Sequence, residues 1–303
     1  MVERQASVSG ASHYGVIVLK CKAVRSTTTD PPSSIGVKGR IVDNVTFGRD
    51  PGVREAPSQS YPAMTPFAEI LARAVTRRGG EAALERILAT TAPRPPAEIA
   101  STPDDRILAE MTRCIFDAGF SSKVVDDKWP AFGAGFDGFD PNACAFTSEE
   151  HSDRLLQDRG VVGNAAKIKS VQINAQVLLD LKTEHGSAAR FFANWADADY
   201  VGVLDVLKQR ASHLGGDAAG RFLRGIGKPA FITSSDMVAA LIREGVIDRA
   251  PTGKRDLAAV QATCNIWPSE SGRDVTTISR ILAMSVDSSE TAPSRHRSGR
   301  QSP

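Results

Sequence analysis

The chain has 303 residues, 41% of them apolar and 24% charged, with a net charge of +2. That is the composition of a folded, soluble protein and excludes the fibrous and wholly disordered classes. The length fits two domains or one domain with tails, and the bulk charge permits nucleic-acid binding without requiring it. No run approaches the roughly 18 apolar residues that cross a bilayer, and the opening MVERQASVSGASHYG lacks the apolar stretch of a signal peptide, so a cytoplasmic protein with no membrane contact is expected. Cys21, Cys114, Cys144 and Cys264 lie far apart with no C-x-x-C spacing, which argues for reduced thiols and against a zinc finger, an iron–sulfur cluster or a disulfide framework.

Residues 1–62 mix Ser, Thr, Pro and Gly around one short apolar patch, Tyr14 to Leu19, and read as a disordered extension. Sustained helical periodicity opens at Met64, which raises the hypothesis that translation begins there. From residue 63 to 287 apolar residues recur at helical spacing. Ile107, Leu108, Met111, Cys114, Ile115 and Ala118 mark one face; Ile168, Val171, Ala175, Leu178 and Leu179 a second. Leu257, Val260, Cys264 and Trp267 mark a third, and Val275, Ile278, Ile281 and Leu282 a fourth. Start signals stand at Thr65-Pro66, Thr102-Pro103-Asp104, Ser148-Glu149-Glu150 and Ser235-Asp236. No stretch in this region alternates with period two, so the fold class is all-α, one helical domain without internal repeats. The end, residues 288–303, is a low-complexity basic tail carrying Arg295, Arg297 and Arg300.

Within the domain, His213-Leu214-Gly215-Gly216-Asp217 separates the helical stretch VGVLDVLKQRAS from a second one containing Gly220, Arg221 and Phe222, a helix–hairpin–helix pattern. Glycines in such a hairpin reach positive φ and let backbone N–H groups approach an anion, and the following helix start adds unpaired donors and the positive end of its dipole. The same glycines serve equally as a plain helix C-cap. Asp236 follows Gly216 by 236 − 216 = 20 residues at the start of another helix, where it reads either as a catalytic acid or as a cap.

This hairpin-to-acid arrangement resembles the helix-hairpin-helix superfamily of DNA glycosylases, whose catalytic aspartate lies about twenty residues past the hairpin. A second resemblance covers residues 111–181. The strings AGFSSKVVDDKWPAFGAGFDGFDP and DRLLQDRGVVGNAAKIKSVQINAQVLL are similar to the type I 3-methyladenine DNA glycosylases, through Ala118, Gly119, Phe120, Ser121, Phe139, Asp140, Pro141, Asn164, Lys167, Ile168, Asn174 and Ala175. The chain departs from that family at Cys114, where the family has glutamate, and at Ser122, where it has tryptophan. Its five histidines lack the ligand pairing of the family's structural zinc, so no metal and no cofactor is expected. Ala218 stands where lyase-type relatives carry a Schiff-base lysine, which leaves no amine for a lyase step.

The resemblance implies a helix-hairpin-helix glycosylase-like domain that hydrolyses the N-glycosidic bond of alkylated purines, 3-methyladenine above all, in base-excision repair. It implies Asp236 as catalytic residue and a base pocket from Cys114, Phe116, Phe120, Ser122 and Trp129. Gly215, Gly216, Gly220, Arg221, Arg224 and Lys228 are the expected DNA contacts. The partner is then double-stranded DNA containing damaged bases, bound by a monomer in the cytoplasm at the nucleoid. Two rivals stand beside it: a glycosylase-derived protein that binds DNA damage or structure without cleaving, and a helical protein-interaction module whose hairpin is only a turn. Asp126, Asp127 and Lys128 read as an ordinary exposed charged patch.

Overall fold

The computed structural model describes residues 65–287. The expectations for residues 1–62, for a start at Met64 and for the tail 288–303 lie outside the described residues. Among the described residues there are helices and no strand. In chain order they are α1 (Phe67–Arg77), α2 (Glu81–Ala89), α3 (Pro96–Ala100), α4 (Asp104–Asp117), α5 (Ser122–Gly135), α6 (Pro141–Ala145) and α7 (Glu149–Gln157). Then come α8 (Ala165–His185), α9 (Ala188–Asn194), α10 (Tyr200–Arg210), α11 (Asp217–Gly225), α12 (Ser235–Arg243), α13 (Lys254–Ser271) and α14 (Val275–Met284).

The four expected apolar faces lie inward except at Ala118, which is exposed just past the end of α4; Leu179 and Leu257 are half-buried. α4 buries Ile107, Leu108, Met111, Cys114, Ile115 and Phe116, and it stops at Asp117 because Ala118 turns extended (ψ 91°) and Gly119 takes φ 104°. Two groups of helices result. α8 packs against α4, α6, α7 and α9, whereas α14 packs against α1, α12 and α13. α10 and α11 join them, since α10 touches α13 and α11 touches α4. Phe67 of α1 meets the fully buried Trp267 of α13 at 5.9 Å between ring centroids, closing the second group.

Start signals were partly right in kind and shifted in place. Ser148 caps α7 by accepting from the His151 N–H at 3.1 Å. α1 and α4 instead begin behind Pro66 and Pro103, whose rings preset the backbone, and neither threonine caps through its side chain. α12 is capped by Ser234, which accepts from the Met237 N–H at 3.3 Å and leaves Ser235 and Asp236 as its first two helical residues.

The motif residues are largely architectural. Asp140, with Pro141 at the first helical position, caps α6 by accepting from the Asn142 N–H at 3.0 Å. Asn164 caps α8 by accepting from the Lys167 N–H at 3.1 Å. Lys167 reaches back to the end of α4 and donates to the carbonyls of Ile115 (2.8 Å) and Ala118 (2.6 Å), a cation at a helix C-terminus. Asn174, 0% exposed, accepts from the Ser212 N–H (2.7 Å) and donates to the Ser212 carbonyl (3.1 Å), tying α8 to the segment between α10 and α11.

That last pair generates a test. Asn174→Ala takes the partner from both backbone groups of half-buried Ser212, and a hydrogen-bonding group left unmatched away from water costs up to about 1–3 kcal/mol. Thermal unfolding of the full chain is expected to show a melting temperature several degrees lower. An unchanged melting temperature would mean that the clamp contributes nothing.

Candidate DNA-facing site

The segment between α10 and α11 is held at two points, by Asn174 at Ser212 and by Leu214, which is sunk into the core. Between them His213 is forced to φ 60°, with its Nδ1 2.9 Å from the Ser212 hydroxyl. Gly216 takes φ 55° directly before α11, where a side chain would be strained. Gly215 and Gly216 are exposed and nothing lies within 4 Å of where their Cβ atoms would stand. Gly216, the residue before α11, has no side chain with which to cap the helix. Asp217 in that first turn accepts from the Thr233 hydroxyl at 3.2 Å.

The other expected DNA contacts separate from these glycines. Gly220 is buried inside α11, where a Cβ would lie 2.7 Å from the Tyr200 hydroxyl oxygen and 3.1 Å from the Phe231 carbonyl oxygen; it is a packing glycine. Lys228 is 4% exposed, donates to the Trp195 carbonyl (2.5 Å) and pairs with Asp197 (2.7 Å). Arg224 turns inward to the Ala230 carbonyl (2.9 Å) and the Ser279 hydroxyl (3.2 Å), and burial lowers its pKa to about 10. These three are corrected to interior roles. Arg221 is exposed, its charge falling beside Cys114 and Asp117.

The five expected pocket residues divide in the same way. Phe116 is fully buried, edge-on to Phe132 at 4.8 Å, and Trp129 stacks on Phe132 (5.6 Å) and Phe139 (5.2 Å) with the Arg113 guanidinium 5.2 Å from its ring centroid. Both belong to an aromatic core. Phe120 is 38% exposed at the α4–α5 turn, with the Lys167 ammonium 4.7 Å from its ring. Ser122 is exposed at the start of α5, and its hydroxyl bonds the Asp117 carboxyl.

Cys114 lies on an acidic stripe that reading the sequence missed. Its thiol donates to Glu110 Oε1 at 3.6 Å one turn earlier, and Asp117 follows on the same face, the i, i+4, i+7 spacing that could have revealed the group. Burial, and then the Glu110 carboxylate, push the Cys114 thiol well above its ordinary pKa, so it is not a nucleophile at neutral pH. Burial also raises Glu110, against the Cys114 hydrogen bond and the Arg113 charge that lower it, and raises Asp117. Glu110 occupies the space that a side chain at Gly225 of α11 would need. The stripe therefore faces the seam between α4 and α11.

Asp236 stands half-buried at the second position of α12, with Met237 beside it wholly buried. The Thr233–Asp217 bond brings the approach to α12 against the first turn of α11. A surface cavity of about 580 Å³ opens at the opposite end of α12, at Ile242, Arg249 and Arg255, and does not include Asp236. Among the described residues no group of three His, Cys, Asp or Glu side chains is placed to hold a metal ion, and no helix is long and apolar enough to cross a membrane.

The raised Glu110 pKa has a signed consequence. A carboxyl that titrates higher when folded contributes most below its ordinary value of 4.5, and that contribution is lost as pH rises towards the folded pKa. Glu110→Gln, which cannot ionise, is expected to gain stability relative to wild type between pH 4.5 and neutrality. Melting temperatures at several pH values check this, and a constant difference across that range contradicts it.

Residues 100–210 match the model of the methyladenine glycosylase family, about a third of the chain. The match takes in Cys114, Phe116, Phe120, Ser122 and Trp129, and ends before the hairpin glycines and Asp236. Among solved structures, the chain is similar to a 3-methyladenine DNA glycosylase I at 23% identity, over 45% of this chain and 82% of that one, with a TM-score of 0.39. The corresponding enzyme from Staphylococcus aureus is 20% identical over 41% of this chain and 76% of that one, with a TM-score of 0.38. The 8-oxoguanine DNA glycosylase of Thermotoga maritima is 16% identical over 71% and 94%, with a TM-score of 0.44. Across residues 100–210, then, the chain is similar to the methyladenine glycosylase family.

Proposed function

We propose that the protein is a monofunctional DNA glycosylase that releases alkylated purines, 3-methyladenine foremost, from double-stranded DNA by hydrolysis. The observation that supports this reading is the Thr233–Asp217 contact, which joins the approach to α12 to the first turn of α11. The family match over residues 100–210 supports the same chemistry.

C1′ of a stacked nucleotide is out of reach, so the damaged nucleotide rotates out of the duplex at a cost of about a few kcal/mol, least for a weakly stacked lesion. The backbone N–H groups at Gly215, Gly216 and the first turn of α11 grip a neighbouring phosphate, with Arg221 supplying charge that offsets Asp217. An N-alkylated purine is cationic and already a good leaving group. As its glycosidic bond breaks, positive charge grows on the sugar, and the Asp236 carboxylate stabilises that cation and orients the attacking water. Water bonds to C1′ and gives up a proton, and the base departs with the bond's electron pair. Ala218 offers no amine, so the reaction ends at an abasic site. Glu110 and Asp117, on the seam between α4 and α11, supply polar groups to read the base.

A second reading, damage binding without cleavage, is favoured by Cys114, a neutral thiol at the family's glutamate position. Release of free base from methylated duplex DNA separates the two. Asp236→Asn is expected to slow release by about 100-fold or more, the scale for losing one preorganised electrostatic group, with duplex affinity retained. Release at the wild-type rate would overturn the catalytic role. Arg221→Ala is expected to weaken duplex binding and reduce the log-log salt slope by about 0.9, one phosphate contact, and an unchanged slope removes Arg221 from the interface.

A further inference from the structure

The connector between α11 and α12 runs through Ala230, Phe231 and Ile232 without regular structure, yet Ala230 and Phe231 are buried. Buried backbone N–H and C=O groups need partners, and a connector usually finds them in water at the surface. Here side chains from three helices supply them. The Ala230 N–H donates to the Thr276 hydroxyl at 2.9 Å and the Ala230 carbonyl accepts from Arg224 at 2.9 Å. The Phe231 carbonyl accepts from the Tyr200 hydroxyl at 2.6 Å, and the Ile232 N–H donates to the Ser279 hydroxyl at 3.2 Å. Ser279 also donates to the Met237 sulfur at 3.2 Å, one residue past Asp236. The Tyr200 and Phe231 rings meet at 4.3 Å, and Gly220 of α11 leaves the room in which that hydroxyl and carbonyl join.

We propose that Tyr200, Thr276 and Ser279 are positioning residues for Asp236: their hydroxyls fix the connector from which the first turn of α12 springs, and so set where the Asp236 carboxylate stands. The proposal rests on the glycosylase reading above for its effect on rate, and on the connector alone for its mechanical part. Thr276, Ser279 and Asp236 lie beyond the family match, which ends at residue 210 and takes in Tyr200. Side chains from α10, α11 and α14 converge on three consecutive residues. Displacing a reacting group by about 1 Å can cost about 100-fold in rate, so such a connector is a sensitive place to act.

The test uses the full chain and methylated duplex DNA under single-turnover conditions. Tyr200→Phe keeps the ring contact and removes one hydrogen bond. It is expected to slow base release about ten-fold while duplex affinity changes less than two-fold, and to slow it no further in an Asp236→Asn background. Ser285→Ala removes a buried hydroxyl that donates to the Leu282 carbonyl and accepts from Arg243 at the far end of α12, away from the connector. It is expected to lower the melting temperature without slowing release, which separates positioning from loss of stability. Gly220→Ala should ordinarily favour a helix; here it is expected to slow release as Tyr200→Phe does.

Hydrogen exchange provides a readout independent of activity. The Ala230 and Ile232 amides should exchange at least ten-fold faster in Tyr200→Phe than in wild type. Unchanged exchange overturns the proposal whatever the enzyme does. A wild-type chain that releases no base overturns the glycosylase reading and with it the effect on rate. Faster exchange together with a wild-type release rate overturns the positioning role alone.

Discussion

One buried side-chain amide organises the molecule. Asn174, sealed in the middle of α8, has no water to bond and satisfies itself on both backbone groups of Ser212. Satisfied, the pair specifies where α10 must end and how the turn must leave it; unsatisfied, it would cost more than most apolar contacts contribute. Leu214 is sunk into the core just beyond, His213 between the two anchors takes positive φ, and Gly216, past Leu214, takes it again.

The same logic separates the residues that define the family pattern from those that carry chemistry. Asp140 and Asn164 cap helices, Lys167 closes the end of α4, and Asn174 clamps the turn. Their work is to bring the C-terminal end of α4, the middle of α8 and the glycine turn into one place. Around that junction stand Phe120, the acidic stripe of Glu110, Cys114 and Asp117, and the exposed Arg221.

Charge shows how far residue type alone can mislead. Arg221, Arg224 and Lys228 look alike in sequence, at the spacing of one side of a helix and its end. Lys228 instead satisfies the Trp195 carbonyl, and Arg224 holds Ala230 and Ser279, because each is the nearest donor to a buried acceptor. Phe116 and Trp129 likewise serve packing: aromatic rings next to one another in a core bury more area against each other than against a ligand that is absent most of the time.

Helix content was legible from the sequence because burial of one face imposes a 3.6-residue period, and the faces of α4, α8, α13 and α14 were readable for that reason. So were the glycine turn and the resemblance over residues 111–181, which lies inside the family match and depends on residues within one stretch of chain. Whether a lysine, arginine or glycine is exposed or internal was decided only in three dimensions. It depends on which carbonyl, hydroxyl or ring arrives from a distant helix, as Tyr200 and Ser279 arrive at the connector before Asp236. No local spacing records such an arrival, since the partners are brought together by packing of the core.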